Sequence, residues 1–245
     1  MKNTATEQDA VTAVLKENLD RIETQIAAAC REAGRPRGEV ALMAVSKMHP
    51  ASAIIAAEAL GVRLFGENRV QEFQEKSALL SMPEAEFHLI GHLQSNKAAR
   101  AAELFASVDT LDSVSLAERL DQAARQLGRR LRVLIEIKLS PEESKAGMDP
   151  ESEELAGLLE RLPDLAGLEM RGLMMVPPFL EDLAAVRPYF RGLRVLRDRL
   201  AVAHPRLSFG ELSMGMSHDF PVAIDEGATQ VRIGTALFGA RDYSK

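Results

Sequence analysis

Val11, Leu15, Leu19, Ile22, Ile26 and Ala29 recur at intervals of three and four, the stripe that one face of a helix turns toward a core, and the pattern stops near Gly34 and Pro36. The period then changes. Residues 40–45 are an unbroken apolar run, too short for a helix that buries a face and bounded by turn residues, so they predict a first strand. From there helical stripes and strand-like runs alternate. The pattern predicts helix 51–60, strand 62–65, helix 68–80, strand 87–90, helix 95–103, strand 104–108, helix 114–127, strand 131–137, helix 151–161, strand 168–174, helix 181–202, strand 207–213, helix 218–226 and strand 229–233.

That makes eight strands, each but the last followed by a helix. Strands joined through helices of this length run parallel, because a parallel pair needs a crossover connection. The expected class is therefore α/β: a closed (β/α)8 barrel of the TIM type, with the opening helix as an addition. An open doubly wound sheet is the alternative that pattern alone leaves standing. The chain has 245 residues, an ordinary length for one barrel, and no linker, low-complexity tract or shift in composition marks a boundary, so residues 1–245 read as one domain.

Composition narrows the partners. Thirty basic against 36 acidic residues give a net charge of −6, which argues against a nucleic-acid footprint, and the absence of Trp with only two Tyr removes stacking platforms for single strands. No stretch approaches the roughly 20 apolar residues that span a bilayer, and the N-terminus lacks the apolar centre of a secretion signal, so a cytoplasmic protein is expected. The single cysteine, Cys30, sits among alanines on the opening helix and reads as packing.

In such barrels ligand groups sit at the C-terminal ends of the strands, with phosphate commonly on the loops after strands seven and eight. The loop after strand seven reads "MGMSHDF", where Ser217 has the look of a helix N-cap with Asp219 in the first turn. Strand eight runs into "RIGTALFG": Gly234 allows close backbone approach, and Thr235 offers a hydroxyl and an N–H. Each loop alone is as readily a cap or a turn; together they suit a phosphate dianion. Lys47 stands just past the first strand. There a lysine is either a solvated charge or, at a barrel mouth, an amine that can attack a carbonyl, and such an amine facing a phosphate cradle suits pyridoxal 5′-phosphate (PLP).

The segments "AVSKMHP", "FGENRVQEF", "FHLIGHLQSNKA", "SVDTLDS", "GLMMVPP", "ELSMGMSHDF" and "QVRIGTALFGARDY" follow one another in this order. In them the chain resembles, over nearly its whole length, the pyridoxal-phosphate homeostasis protein family of the YggS type, and through that family the barrel domain of alanine racemases. The resemblance implies that Lys47 holds the cofactor as a Schiff base and that Ser217, Gly234 and Thr235 hold its phosphate. Asn68 and Met174 would line it, and Arg232 would face the pyridine nitrogen. For Arg232 the residues alone favour a salt bridge inside the barrel. A guanidinium can only donate, so in the implied place it keeps that nitrogen unprotonated and weakens the ring as an electron sink.

Other features carry less. His88 and His92 are four apart, but on a strand followed by a loop and without the Glu of a zinc helix, so no metal is expected. Lys145, in "SPEESKAGM", could reach the mouth or stay solvated, and His49 and His218 have no partner identifiable from sequence. A racemase needs two proton-transferring groups on opposite faces of the substrate carbon. The racemases this chain resembles bring their second, a tyrosine, from an additional domain and the partner subunit. Here Tyr189 falls on an outer helix and Tyr243 in the tail. The expectation is a monomeric, non-catalytic protein of vitamin B6 homeostasis that binds PLP reversibly and delivers it to apoenzymes, with a PLP-dependent racemase or lyase as the competing reading.

Overall fold

The computed structural model describes residues 2–140 and 146–239, with side chains from residue 12 onward. Eight parallel strands close into a barrel in sequence order: β1 (Ala41–Val45), β2 (Leu64–Glu67), β3 (Glu86–Leu89), β4 (Ser107–Leu111), β5 (Leu131–Glu136), β6 (Leu168–Met174), β7 (Glu211–Met216) and β8 (Gln230–Ile233). Closure is set by β8 pairing with β1, Ala41 opposite Gln230 through Ala44 opposite Ile233. The open sheet is thereby excluded. The helices are α1 (Lys2–Glu32), α2 (Ala51–Ala59), α3 (Val70–Ser77), α4 (Ala98–Leu104), α5 (Val114–Gln126), α6 (Glu153–Arg161), α7 (Leu183–Ala203), α8 (Phe220–Asp225) and α9 (Thr235–Phe238). Among the described residues no helix is long and apolar enough to cross a bilayer.

Successive strand residues point to opposite faces. Ala44, Phe65, Leu89, Val108, Val133, Leu212 and Val231 join the helices in one continuous apolar core. The intervening positions fill the lumen, and much of that filling is polar: His88, Asp109, Ser213, Gln230 and Arg232 are all buried. Gln230 on β8 donates to Asp109 on β4 at 3.3 Å, a contact that crosses the barrel. Gly172 exists for packing, because a Cβ there would lie 1.8 Å from the Glu211 carbonyl oxygen of the adjacent strand.

Polar and glycine positions within strands explain where the predicted strands slip. The runs 62–65, 104–108 and 207–213 are observed at Leu64–Glu67, Ser107–Leu111 and Glu211–Met216. An apolar run is the sequence signal, whereas these strands continue through Gly66 and Glu67, Asp109 and Thr110, and Gly215. The extra helix α1 packs over the seam between the chain's ends. Asn18 Nδ2 donates to the Leu237 carbonyl at 3.0 Å, Arg21 to that of Ala236 at 3.3 Å, and Arg35 to those of Ile224 and Ala228. Cys30 is buried on its inner face.

Candidate functional site

At the C-terminal end of the barrel a cavity of about 420 Å³ opens between the ends of β1, β2, β7 and β8, within the range of small-molecule sites. Lys47, Asn68, Ser217, Arg232, Gly234 and Thr235 all line it. Met174 does not. It is fully buried at the end of β6, paired with Glu136 and Ser213, and Val176, two residues farther along, reaches the wall instead.

Lys47 follows β1 in a tight turn closed by the His49 N–H donating to the Ser46 carbonyl at 3.1 Å. Met48 takes φ 62°, the only non-glycine positive φ among the described residues, so the left-handed angle falls on the third residue of the turn, as in type II. Gly or Asn normally takes that position, and a side chain there costs about 1–2 kcal/mol. The partly buried amine-bearing residue is thus held at a strained corner of the rim. Asn68 follows β2, and Gly91 lets it sit close, since a Cβ on Gly91 would lie 2.3 Å from the Asn68 carbonyl oxygen.

The adjoining wall is built by β7 and β8. Ser217 does not cap α8: Asp219 takes the N-cap position, and its Oδ1 accepts from the Met216 N–H at 2.6 Å to fix the loop. Because β7 runs on to Met216, Ser217 lands at its very end, where Oγ accepts from the Ala236 N–H at 3.4 Å. The sequence pattern misses α9, a single turn whose first carbonyl, Gly234 O, accepts from Leu237 and Phe238 N–H at 2.9 Å each. Ser217 and Thr235 thus stand together at the start of that turn on the cavity wall, where their hydroxyls suit a phosphate.

Arg232 is 4% exposed, and the residue-level expectation of a salt bridge gives way to neutral partners: Nη1 donates to Ser213 Oγ at 2.7 Å and Nη2 to the Met175 carbonyl at 2.7 Å. Burial draws its pKa down, and the charges of Asp109, Glu136 and Asp219 oppose that. Behind it lies a relay of buried groups. Gln230 Nε2 donates to Ser213 Oγ at 2.8 Å, and Asp109 Oδ2 meets His88 Nδ1 at 3.1 Å. Burial acts against the His88 cation, but Asp109, with help from Glu86, outweighs it and raises the imidazole to about 9. The two histidines left without roles find aromatic partners, His49 against Phe238 at 4.9 Å and His218 against the exposed Phe179 at 5.4 Å. Lys145 and Tyr243 lie outside the described residues, while Tyr189 is on α7, outside the barrel.

The sequence reading passed over the luminal relay and also Val176, Phe179 and Met216 on the cavity wall, and it placed Asp219 only in the first turn of a helix. The relay had a signal, since polar residues at every second strand position mark a polar lumen; the loop residues had none.

Residues 17–242 match the family described as alanine racemase, N-terminal domain. The chain is 43% identical over 227 residues to the pyridoxal phosphate homeostasis protein of Aquifex aeolicus, covering 93% of this chain and 98% of that one. Its identity with the protein of the same description from Escherichia coli K12 is 44% over 237 residues, covering 93% and 97%. Among solved structures it is similar to PipY of Synechococcus elongatus PCC7942 with PLP bound, at a TM-score of 0.82 and 43% identity, covering 92% of this chain and 100% of that one. The chain belongs to the pyridoxal phosphate homeostasis protein family, on the barrel fold of the alanine racemase N-terminal domain.

Proposed function

We propose that this protein binds pyridoxal 5′-phosphate reversibly through Lys47 and so maintains the cell's supply of the cofactor without turning over a substrate. One observation carries the reading: an amine, a buried guanidinium and two hydroxyls from three separate chain segments converge on one cavity. That set fits the group. When bound, the vitamer supplies an aldehyde carbon and a phosphate. Ser217 and Thr235 hold the phosphate, and Arg232 keeps a donor toward the ring that it cannot surrender as a proton. Lys47, on the cavity wall, would be the group that takes up the aldehyde carbon, forming a C=N bond with release of water.

Residues 1–245 act in this reading as one unit, a cytoplasmic monomer that hands its cargo to apoenzymes. Borohydride reduction of the loaded protein followed by peptide mapping should place one phosphopyridoxyl group on Lys47, and a Lys47→Ala protein should fold but lose the label. Label elsewhere, or none, overturns the proposal. Racemase or lyase chemistry needs a second proton-transferring group opposite Lys47, and His218, on the cavity wall, is the group to test. Carrier function requires that amino acids offered to the yellow protein are not converted, in the wild type or in His218→Ala.

A further inference from the structure

A cluster of buried polar groups that the cofactor cavity does not use lies beneath the turn that carries Lys47. Lys76, on α3 and 9% exposed, donates from Nζ to the Ser46 carbonyl at 2.9 Å and lies 2.8 Å from Glu67 Oε1 and 2.7 Å from Glu72 Oε1. Glu67 Oε1 also accepts from Ser46 Oγ at 2.7 Å, and Glu72 Oε1 from the Met48 N–H at 2.5 Å. Ser46 and Met48 are the two chain neighbours of Lys47. The peptide group before Lys47 is thus tied to this ammonium directly, and the peptide group after it through a single carboxylate.

Burying such charges is costly, and a packed apolar group in their place would serve stability as well or better. What the cluster gives is geometry. It pins a turn whose third residue sits at φ 62°, a conformation that persists only where its surroundings over-determine it. We propose that Lys76, with Glu67 and Glu72, is a positioning residue for Lys47: it holds the two flanking peptide groups so that the amine projects over the cavity. This rests on the reading that Lys47 receives the aldehyde.

The test separates the covalent step from ligand binding. Lys76→Met and Glu72→Gln are compared with wild type for the rate at which PLP is trapped on Lys47 by borohydride. Each is also compared for affinity toward pyridoxine 5′-phosphate, which has the ring and phosphate but an alcohol in place of the aldehyde. Trapping should slow about tenfold or more in Lys76→Met and about threefold in Glu72→Gln, since small misplacements of a reacting group are expensive. Affinity for pyridoxine 5′-phosphate should change less than about twofold, because the phosphate wall is untouched. Adding Met48→Gly to Lys76→Met should restore much of the rate, since glycine holds the positive φ unaided.

Trapping at the wild-type rate in both variants overturns the proposal. So does a parallel loss of trapping, pyridoxine 5′-phosphate affinity and thermal stability, which would make the cluster scaffold only. Glu72→Gln keeps the test open if Lys76→Met fails to fold, because Glu72 lies at the partly exposed edge of the cluster. Failure of wild type itself to label at Lys47 would instead sink the proposed function.

Discussion

Two buried polar networks serve the two walls of this site, and they are built to different ends. Under the Lys47 wall, Lys76 and its carboxylates hold backbone groups, Ser46 O and Met48 N–H, and the cluster reaches solvent at Glu72. Behind the Arg232 wall, His88, Asp109, Gln230 and Ser213 hold one another, side chain to side chain, across the lumen and out of water. The first fixes where an amine points. The second fixes how much charge stands behind a guanidinium. Breaking the first should therefore show in reactivity, and breaking the second in stability and its dependence on pH.

The largest effect is expected at Asp109, which is fully buried and accepts from His88, Ser107 and Gln230. Burial pushes its carboxyl up, yet the His88 cation and these hydrogen bonds outweigh that and hold it below the ordinary range. Asp109→Asn keeps the shape, removes the counter-charge and strands an imidazolium in the lumen, at a cost of about 3–5 kcal/mol in urea unfolding at pH 6. His88 has its folded value raised from 6.5 to about 9, so its contribution is fully present below pH 6.5 and is lost as pH rises through about 9. The gap between wild type and Asp109→Asn should narrow over that window. A gap that stays constant, or is absent, would show that the relay carries no charge.

Glu136 is the lumen's unresolved acid. It is 6% exposed, and its Oε2 has no hydrogen-bond partner among the described residues. Burial first, then the nearby Asp112, raises it from 4.5 to about 7. A carboxyl with a raised folded value binds its proton more tightly in the folded state, so its ionisation costs stability progressively from pH 4.5 to about 7 and uniformly above. Glu136→Gln should be neutral near pH 4.5 and gain about 2–3 kcal/mol at pH 8, read from unfolding midpoints at the two values. A loss at pH 8 would mean that the carboxylate is engaged in its charged form.

These networks also mark what the sequence made legible. Period and spacing were enough for the barrel, because every outer face keeps its apolar stripe, as in Leu155, Leu158 and Leu159 on α6. Strand ends were displaced where an apolar run stops short of polar residues, such as Asp109, that the strand in fact includes. Lys47, Ser217, Gly234 and Thr235 followed from the rule that barrels place chemistry at strand ends. Arg232 and Asn68 needed the family resemblance, for nothing local distinguishes a luminal arginine that lines a cavity from one that pairs with a neighbour. Lys76 was out of reach, because its role depends on a crossing from α3 to the β1 turn, 30 residues apart in the chain.

The smallest effect distinguishes a clamp from a merely tolerant turn. Met48 is 48% exposed, so substitutions there act through backbone conformation more than through packing. Glycine relieves about 1–2 kcal/mol of left-handed strain but frees the unfolded chain by about 0.4–1 kcal/mol. The two partly offset, and Met48→Gly should raise stability by about 0–1.6 kcal/mol. A β-branched residue suffers most at a positive φ, and Met48→Ile should lose about 1 kcal/mol by the same thermal unfolding measurement. In the Glu72→Gln background, where the Met48 N–H has lost its carboxylate, the interval between Gly and Ile should shrink, because a released turn can leave the strained angle. If the interval is the same in both backgrounds, the strain at Met48 is held by the barrel rim itself, and the cluster beneath it is not what bends the chain at Lys47.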